Sequence, residues 1–235
     1  GERANRAKAR LKNLVTEWGI EGLKERIEEI KLSLTHQTYE MTEDVPVAYS
    51  DPNENYTTAP DVEIEDKEAY DLWYSTNVKD QKQEGYKSVY IRLTSGDFYT
   101  NEARVLADLV DEFAGDDIRI SINQGLQLRN VQEESLPYVY SVLKSINMVK
   151  PGFDSTLDVT SCPGTTTCNL GISDSTHTAI ELEKFMAEKY PELVFNNEIK
   201  IKISGCMNSC GQHSLAQIGF HGSSMKEKAT KKVMP

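Results

Sequence analysis

The sequence predicts an α+β fold built in two successive parts, and three observations carry that prediction. Two strand patterns, SVYIRL and DIRISIN, alternate with helical patterns between about residues 86 and 150. A second strand–helix–strand unit opens on STLDVTS and closes on EIKIKIS, the clearest alternating run in the chain. All four cysteines follow the strands of this second unit, Cys162 and Cys168 in CPGTTTC, Cys206 and Cys210 in CMNSCG. Loops at strand ends have rigid support, which is where a chemical site is best held.

Taken in order, residues 6–30 predict a helix, because Leu11, Leu14, Val15 and Trp18 recur at helical spacing and Leu23, Ile27 and Ile30 resume the stripe after Gly19. Its opposite face reads as basic. Residues 36–85 are acidic and punctuated by proline, with no sustained period, and predict a linker or a wrapping segment that takes its order from a neighbour. In SVYIRL, Val89, Ile91 and Leu93 alternate with Tyr90 and Arg92 as in a half-buried strand. A helix from Asn101 turns Val105, Leu106, Leu109, Val110 and Phe113 inward, with Gly115 placed to end it. Ile118, Ile120 and Ile122 predict the next strand, NQGLQLRN a loop, and Leu136, Tyr140, Leu143 and Ile146 a helix.

Beyond residue 150, Thr178 and Glu181 form a capping-box pattern ahead of a helix whose Leu182, Phe185 and Met186 share a face. In EIKIKIS, Ile199, Ile201 and Ile203 lie on one side and Lys200 and Lys202 on the other. That strand delivers Gly205 and Cys206 directly.

Composition sets limits. The chain has 235 residues and 38% apolar content, enough for one large or two modest cores. No apolar run approaches the length of a membrane-crossing helix. A net charge of −11 argues against a nucleic-acid partner, which would need clustered lysine and arginine. The opening GERANRAKARLKNL lacks the pattern of a signal peptide, and the missing initiator methionine suggests that Gly1 is not the natural start. The expected location is a reducing cytoplasm, where thiolates stay available to metal.

Four thiolates brought together by two loops are what an iron–sulfur cluster requires, and the small polar residues around them leave N–H groups free for the cluster sulfurs. Zinc remains an alternative, but it prefers cysteines about two to four residues apart, and CPGTTTC is wider than that. Disulfides and simple buried thiols are the further alternatives. His36, His177, His213 and His221 share no metal-ligand spacing and read as structural or exposed.

The pattern CxxxxxC followed about forty residues later by GCxNxCG, with a strand, helix, strand and NQ loop before it, resembles the siroheme-containing sulfite and nitrite reductases. The resemblance implies a ferredoxin-like half domain at 86–150 followed by an α/β cluster- and siroheme-binding domain at 151–235, with residues 1–35 a helical segment and 36–85 the acidic linker. It implies that Cys162, Cys168, Cys206 and Cys210 hold a 4Fe-4S cluster and that Cys210 also bridges to the siroheme iron as the catalytic thiolate. RANRAKARLK looks like the segment closing the family's first half. Family members are about twice this long, so the chain reads as a piece lacking the first half and cut near GFHGSSMKEKATKKVMP, unable by itself to reduce sulfite or nitrite.

Siroheme carries many carboxylates, so its pocket must present cations and amide donors. The candidates are Arg129, Asn123 and Gln124 of NQGLQLR and Arg6, Lys8 and Arg10 of the first helix, weighed against loop capping for the amides and a solvated basic face for the helix. Asn208, inside CMNSC, either hydrogen-bonds the cluster or stabilises the turn. Electrons would come from a ferredoxin or flavoprotein, and the terminal KEKATKK reads as a solvated tail. The implied activity is reduction of sulfite, to which CPGTTTCNLG leans, or of nitrite. A plain 4Fe-4S electron-transfer module without siroheme and a zinc-stabilised interaction domain are the competing readings.

Overall fold

The computed structural model describes residues 11–35, 57–115, 117–226 and 233–234, and the chain divides into two units, residues 1–49 and 50–235. Arg6, Lys8, Arg10 and His36 lie outside the described residues.

In the first unit, helix α1 (Leu11–Ser33) is interrupted at Gly19, whose φ of 72° and ψ of 172° leave the helical region. Glycine adopts that conformation without a Cβ penalty. None of the residues of α1 is buried, and its apolar stripe stands open, with Trp18 41% and Ile27 52% exposed. The polar face is mixed in sign, contrary to the basic face predicted. Glu21 pairs with Lys24, Arg26 with Glu29 and Glu28 with Lys31, each pair adding only a few tenths of a kcal/mol.

The second unit opens with an element that the sequence reading placed inside a linker. Helix α2 (Lys67–Asn77) starts where the Asp66 carboxylate accepts the Ala69 N–H at 3.0 Å. It buries Trp73 and Asn77 completely. With few apolar residues in an acidic segment, its period is faint, and its order comes from Trp73 and Tyr70 packing on Tyr140 at ring-centroid distances of 5.0 and 5.1 Å.

Strands β1 (Val78–Asp80), β2 (Tyr86–Ile91), β3 (Ile118–Ile120) and β4 (Leu126–Gln132) form an antiparallel sheet in the order β1-β2-β4-β3. Helices α3 (Thr100–Phe113) and α4 (Leu136–Ser145) complete this layer. Leu106, Leu109, Val110 and Phe113 of α3 meet Leu136, Tyr140 and Leu143 of α4 and Val89, Ile91 and Leu128 of the sheet in one core. Helix α3 ends with Ala114 in extended conformation, and Gly115 follows with its N–H donating to the Arg129 carbonyl.

Two expectations here are corrected. The isoleucine strand is a short edge element with Ile118, Ile120 and Ile122 exposed. The predicted loop NQGLQLRN instead supplies the central strand β4, in which Leu126 and Leu128 are buried. Gly125 admits this strand, because a Cβ there would stand 2.5 Å from the Ile91 carbonyl oxygen.

The remaining residues build a parallel sheet, β5 (Thr160–Ser161), β6 (Ile201–Ser204) and β7 (Ile218–His221), with β6 in the middle. Helix α5 (Ser175–Lys189) packs on it through Ala179 and Met186 against Val159, Ile201 and Ile203. The helix starts before the predicted capping box: the Asp174 carboxylate accepts the His177 N–H at 3.1 Å. Phe185, predicted to face inward, is 50% exposed, and Glu183 takes a buried place in the stripe. Strand β6 is buried on both faces, so Lys202 lies inside and not on a wet face. A two-stranded antiparallel sheet, β8 (Met225–Lys226) with β9 (Val233–Met234), follows.

Asn77 and Tyr90 anchor the first layer to the chain that leads into the second. Asn77 Nδ2 donates to the carbonyls of Tyr90 at 2.9 Å and Lys150 at 3.0 Å. Tyr90 stacks on Phe153 with ring centroids 4.3 Å apart.

Candidate functional site

Each cysteine pair sits where the parallel sheet releases the chain. Strand β5 runs into Cys162, whose N–H still donates to the Ile203 carbonyl at 3.1 Å as though the pairing continued. Strand β6 ends at Ser204, one residue before Gly205 and Cys206. Because β5 and β6 are adjacent and parallel, both loops emerge from the same edge of the sheet.

Main-chain and side-chain bonds tie the loops together. The Gly205 N–H donates to Cys162 Sγ at 3.1 Å. The Gly205 carbonyl accepts from Ile172 at 2.8 Å and Ser173 at 3.1 Å, just beyond Cys168. The Cys168 N–H donates to the Gly164 carbonyl at 3.0 Å, and the Gly211 N–H to Ser204 Oγ at 3.1 Å. Segments carrying all four cysteines therefore belong to one assembly.

That closeness needs glycine. A Cβ on Gly205 would stand 2.5 Å from the Gly164 Cα, and one on Gly171 would stand 2.6 Å from the Gly164 carbonyl group. Gly211 lies directly against the Ile203 carbonyl and the Cys162 amide, and Gly222 against the Gly205 carbonyl. Sequence reading missed these roles, although the glycines adjacent to Cys206 and Cys210 and the one two residues after Cys162 were a legible signal.

Cys162 carries the most developed environment. Burial acts to raise its thiol pKa, but the Gly205 N–H, the Ser175 hydroxyl and the Gly164 N–H outweigh it and hold the thiol below its ordinary value. Ser175 Oγ lies 3.6 Å from Cys162 Sγ and donates to the Cys162 carbonyl at 2.6 Å. All four cysteines are free thiols, with Cys206 buried and Cys168 and Cys210 exposed.

Among the described residues, no three histidine, cysteine or carboxylate side chains are set around one metal ion. Zinc requires its ligands to meet at a single ion, whereas each cysteine of a 4Fe-4S cluster binds a different iron and the thiols need not converge to a point. Soft thiolates suit such a cluster. Two buried polar atoms beside the loops have no hydrogen-bond partner in the described residues, Ser161 Oγ before Cys162 and His213 Nδ1 after Cys210. The donor set fits an iron–sulfur group.

The other predicted site residues fall in different places. Asn123 Nδ2 donates to Asp154 Oδ1 at 2.8 Å. The Gln124 carboxamide pairs with the Ser161 main chain. Arg129 lies on β4 with a two-pronged pair to Asp117, at 2.7 and 2.8 Å. Asn208 is exposed in the second loop. His213 and His221 have ring centroids 4.9 Å apart, and His177 caps its own helix on Asp174.

Sequence reading also missed a buried charge cluster behind β5. Arg92 donates to Glu183 Oε2 at 2.6 Å and to the Pro151 carbonyl at 3.0 Å, and its Nε lies 3.7 Å from Asp158 Oδ1. Burial raises Asp158 to about 6, against the Asp154 N–H and Arg92, which pull it down. Burial raises Glu183 also. Glu183 Oε1 accepts the Val159 N–H at 3.2 Å. The available signals were a charge between Ile91 and Leu93 and a glutamate on the apolar stripe of α5.

Comparison with known families decides the assignment. The nitrite/sulfite reductase ferredoxin-like half domain matches residues 79–146, and the nitrite and sulphite reductase 4Fe-4S domain matches 152–233. The chain belongs to the nitrite and sulfite reductase family. Within that family it is similar to the ferredoxin–nitrite reductase of Synechococcus elongatus, 26% identical over 97% of this chain and 39% of that protein. It is similar also to sulfite reductase [ferredoxin] 1 of Mycolicibacterium paratuberculosis, 25% identical over 94% of this chain and 36% of that protein. The solved structure of the Mycobacterium tuberculosis NirA protein shares the fold, with a TM-score of 0.61 at 23% identity, covering 100% of this chain and 38% of that one. The chain thus spans well under half the length of these relatives. The ferredoxin-like half-domain match begins inside β1, within the stretch that the sequence reading took as linker.

Proposed function

We propose that this chain is the cluster-bearing part of a siroheme-dependent reductase that takes electrons from ferredoxin and reduces nitrite or sulfite. The observation that carries the reading is the joining of the two cysteine loops, with Gly205 bonded to Cys162 Sγ, inside the family's 4Fe-4S domain. Relatives named for nitrite and for sulfite match at nearly equal identity, 26% and 25%. They give no support to the lean towards sulfite.

In this reading Cys162, Cys168, Cys206 and Cys210 would hold the 4Fe-4S cluster, and Cys210 would also help to hold the siroheme. The pair of cofactors, when bound, supplies stepwise electron transfer next to the anion being reduced. The protein's own part is to hold the thiols. The Gly205 N–H stabilises the Cys162 thiolate by hydrogen bonding, Ser175 holds the Cys162 carbonyl, and β5 and β6 fix the two loops. In the same reading Asn208, on the loop between Cys206 and Cys210, would donate to the cluster, and siroheme carboxylates call for cations such as Arg6, Lys8 and Arg10, which lie outside the described residues. The amides of Asn123 and Gln124 and the guanidinium of Arg129 are engaged by protein groups, so their part is to align the site.

Anaerobic reconstitution of the 235-residue chain with iron and sulfide tests the first level. The expected result is broad visible absorption and about four iron atoms per chain, lost when any of the four cysteines is changed to serine. Stoichiometric zinc binding without iron uptake would overturn the reading. Assay of a siroheme-loaded, longer form with nitrite and sulfite side by side assigns the anion. A longer form that holds a stable cluster but takes up no siroheme would favour a plain electron carrier.

A further inference from the structure

We propose that Gln124 is a positioning residue for the cysteine loop, its carboxamide serving as a missing neighbouring strand along the open edge of β5. The argument begins with the sheet. Strand β5 is an edge strand, paired among the described residues only with β6. Alternate residues of a strand direct their N–H and C=O groups to opposite sides. Cys162 bonds towards β6 through Ile203, so Val159 and Ser161 direct theirs to the side that has no strand.

Both are buried, Ser161 at 2% exposure and Val159 at 4%, and buried main-chain groups need partners. Side chains provide them. Glu183 accepts the Val159 N–H at 3.2 Å. Gln124 does more: its Oε1 accepts the Ser161 N–H at 3.0 Å while its Nε2 donates to the Ser161 carbonyl at 2.8 Å. A carboxamide carries one acceptor and one donor in the relation that a peptide unit has, so one side chain completes both bonds of a ladder position.

The backbone of Gln124 shows that the position is held for this purpose. Its φ is 66°, a left-handed conformation unusual for glutamine and normally left to glycine or asparagine. The turn at Gly96 closes over it, where a Cβ would lie 3.2 Å from Gln124 Cβ. The side chain thus reaches from the ferredoxin-like layer to the residue before Cys162. It fixes the main chain from which that thiol and its bond to Gly205 are presented.

The inference rests on the proposed role of Cys162 as a cluster ligand for its consequence, but its geometry can be tested on the metal-free chain. Gln124→Gly and Gln124→Asn both suit a positive φ, and neither can reach Ser161, since one lacks the amide and the other is a methylene short. Hydrogen exchange should show the Ser161 amide at least tenfold less protected in both. Alkylation of Cys162 should be several-fold faster, with Cys210 in the same sample unchanged. Gln124→Glu keeps the acceptor for the Ser161 N–H and loses the donor, so it should fall between, and it serves also if the turn variants fail to fold. Equal protection and reactivity, within twofold of the parent in the folded variants, would overturn the proposal, as would an unprotected Ser161 amide in the parent. Failure of the parent to take up iron and sulfide would count against the cluster and leave these two readouts decisive for Gln124.

Discussion

The N–H of Gly205 points at Cys162 Sγ from 3.1 Å, so the residue before the third cysteine directly contacts the first. The contact is possible because Gly205 and Gly164 meet backbone to backbone. Gly205→Ala would place a Cβ 2.5 Å from the Gly164 Cα and 2.9 Å from the Ser173 carbonyl oxygen. The expected cost is about 1–3 kcal/mol of overpacking, with loss of iron uptake on reconstitution. Denaturant titration and iron analysis check the two halves of this prediction, and a variant that binds iron as the parent does would refute it.

Arg92 is the cation for two buried carboxylates from the neighbouring layer. Arg92→Leu leaves Glu183 and Asp158 buried without it, a loss of about 3–5 kcal/mol near neutral pH. Acid should relieve part of that loss, because protonation removes the uncompensated charges. Urea titrations of parent and variant at pH 7.5 and pH 5 test this, with a smaller gap expected at the lower pH.

Asp158 gives a separate pH signature. Its folded-state pKa, about 6, lies above its ordinary value of 3.8. The folded state therefore holds the proton more tightly. This stabilisation is fully present below pH about 4 and is lost as pH rises through about 6, amounting to roughly 2–3 kcal/mol. Asp158→Asn cannot titrate, so the stability of the parent relative to the variant should rise as pH falls from 7 to 4.5. A constant difference would show that the carboxyl titrates normally.

Cys210→Ser separates a bridging thiolate from an ordinary cluster ligand. In the siroheme-loaded form, the substitution should disturb the siroheme bands and the cluster absorption together. Siroheme bands that remain unchanged in the variant would remove the bridging role and leave Cys210 as a ligand of iron alone.

Elements with a strong period and a matching environment were legible in the sequence. The α3 stripe of Leu106, Leu109, Val110 and Phe113 and the α4 stripe of Leu136, Tyr140 and Leu143 are buried as predicted. Strand β4 was not, because glutamine, asparagine and glycine around Leu126 and Leu128 read as loop while Ile118, Ile120 and Ile122 read as the strand. Period identifies a strand, but its neighbours in the sheet decide which face is covered. Helix α2 was hidden for the related reason that Trp73 derives its order from Tyr140, far along the chain.

The cysteine motifs by themselves determined the chemistry available and the family resemblance, because donor type and spacing are properties of the chain alone. Tertiary structure alone decided what holds those cysteines: Gly205 against Gly164, Glu183 on Val159 and Gln124 on Ser161. Each joins residues distant in sequence through a contact of a few ångströms. Such contacts exist only once the sheet has brought its edges together, and no local pattern records them.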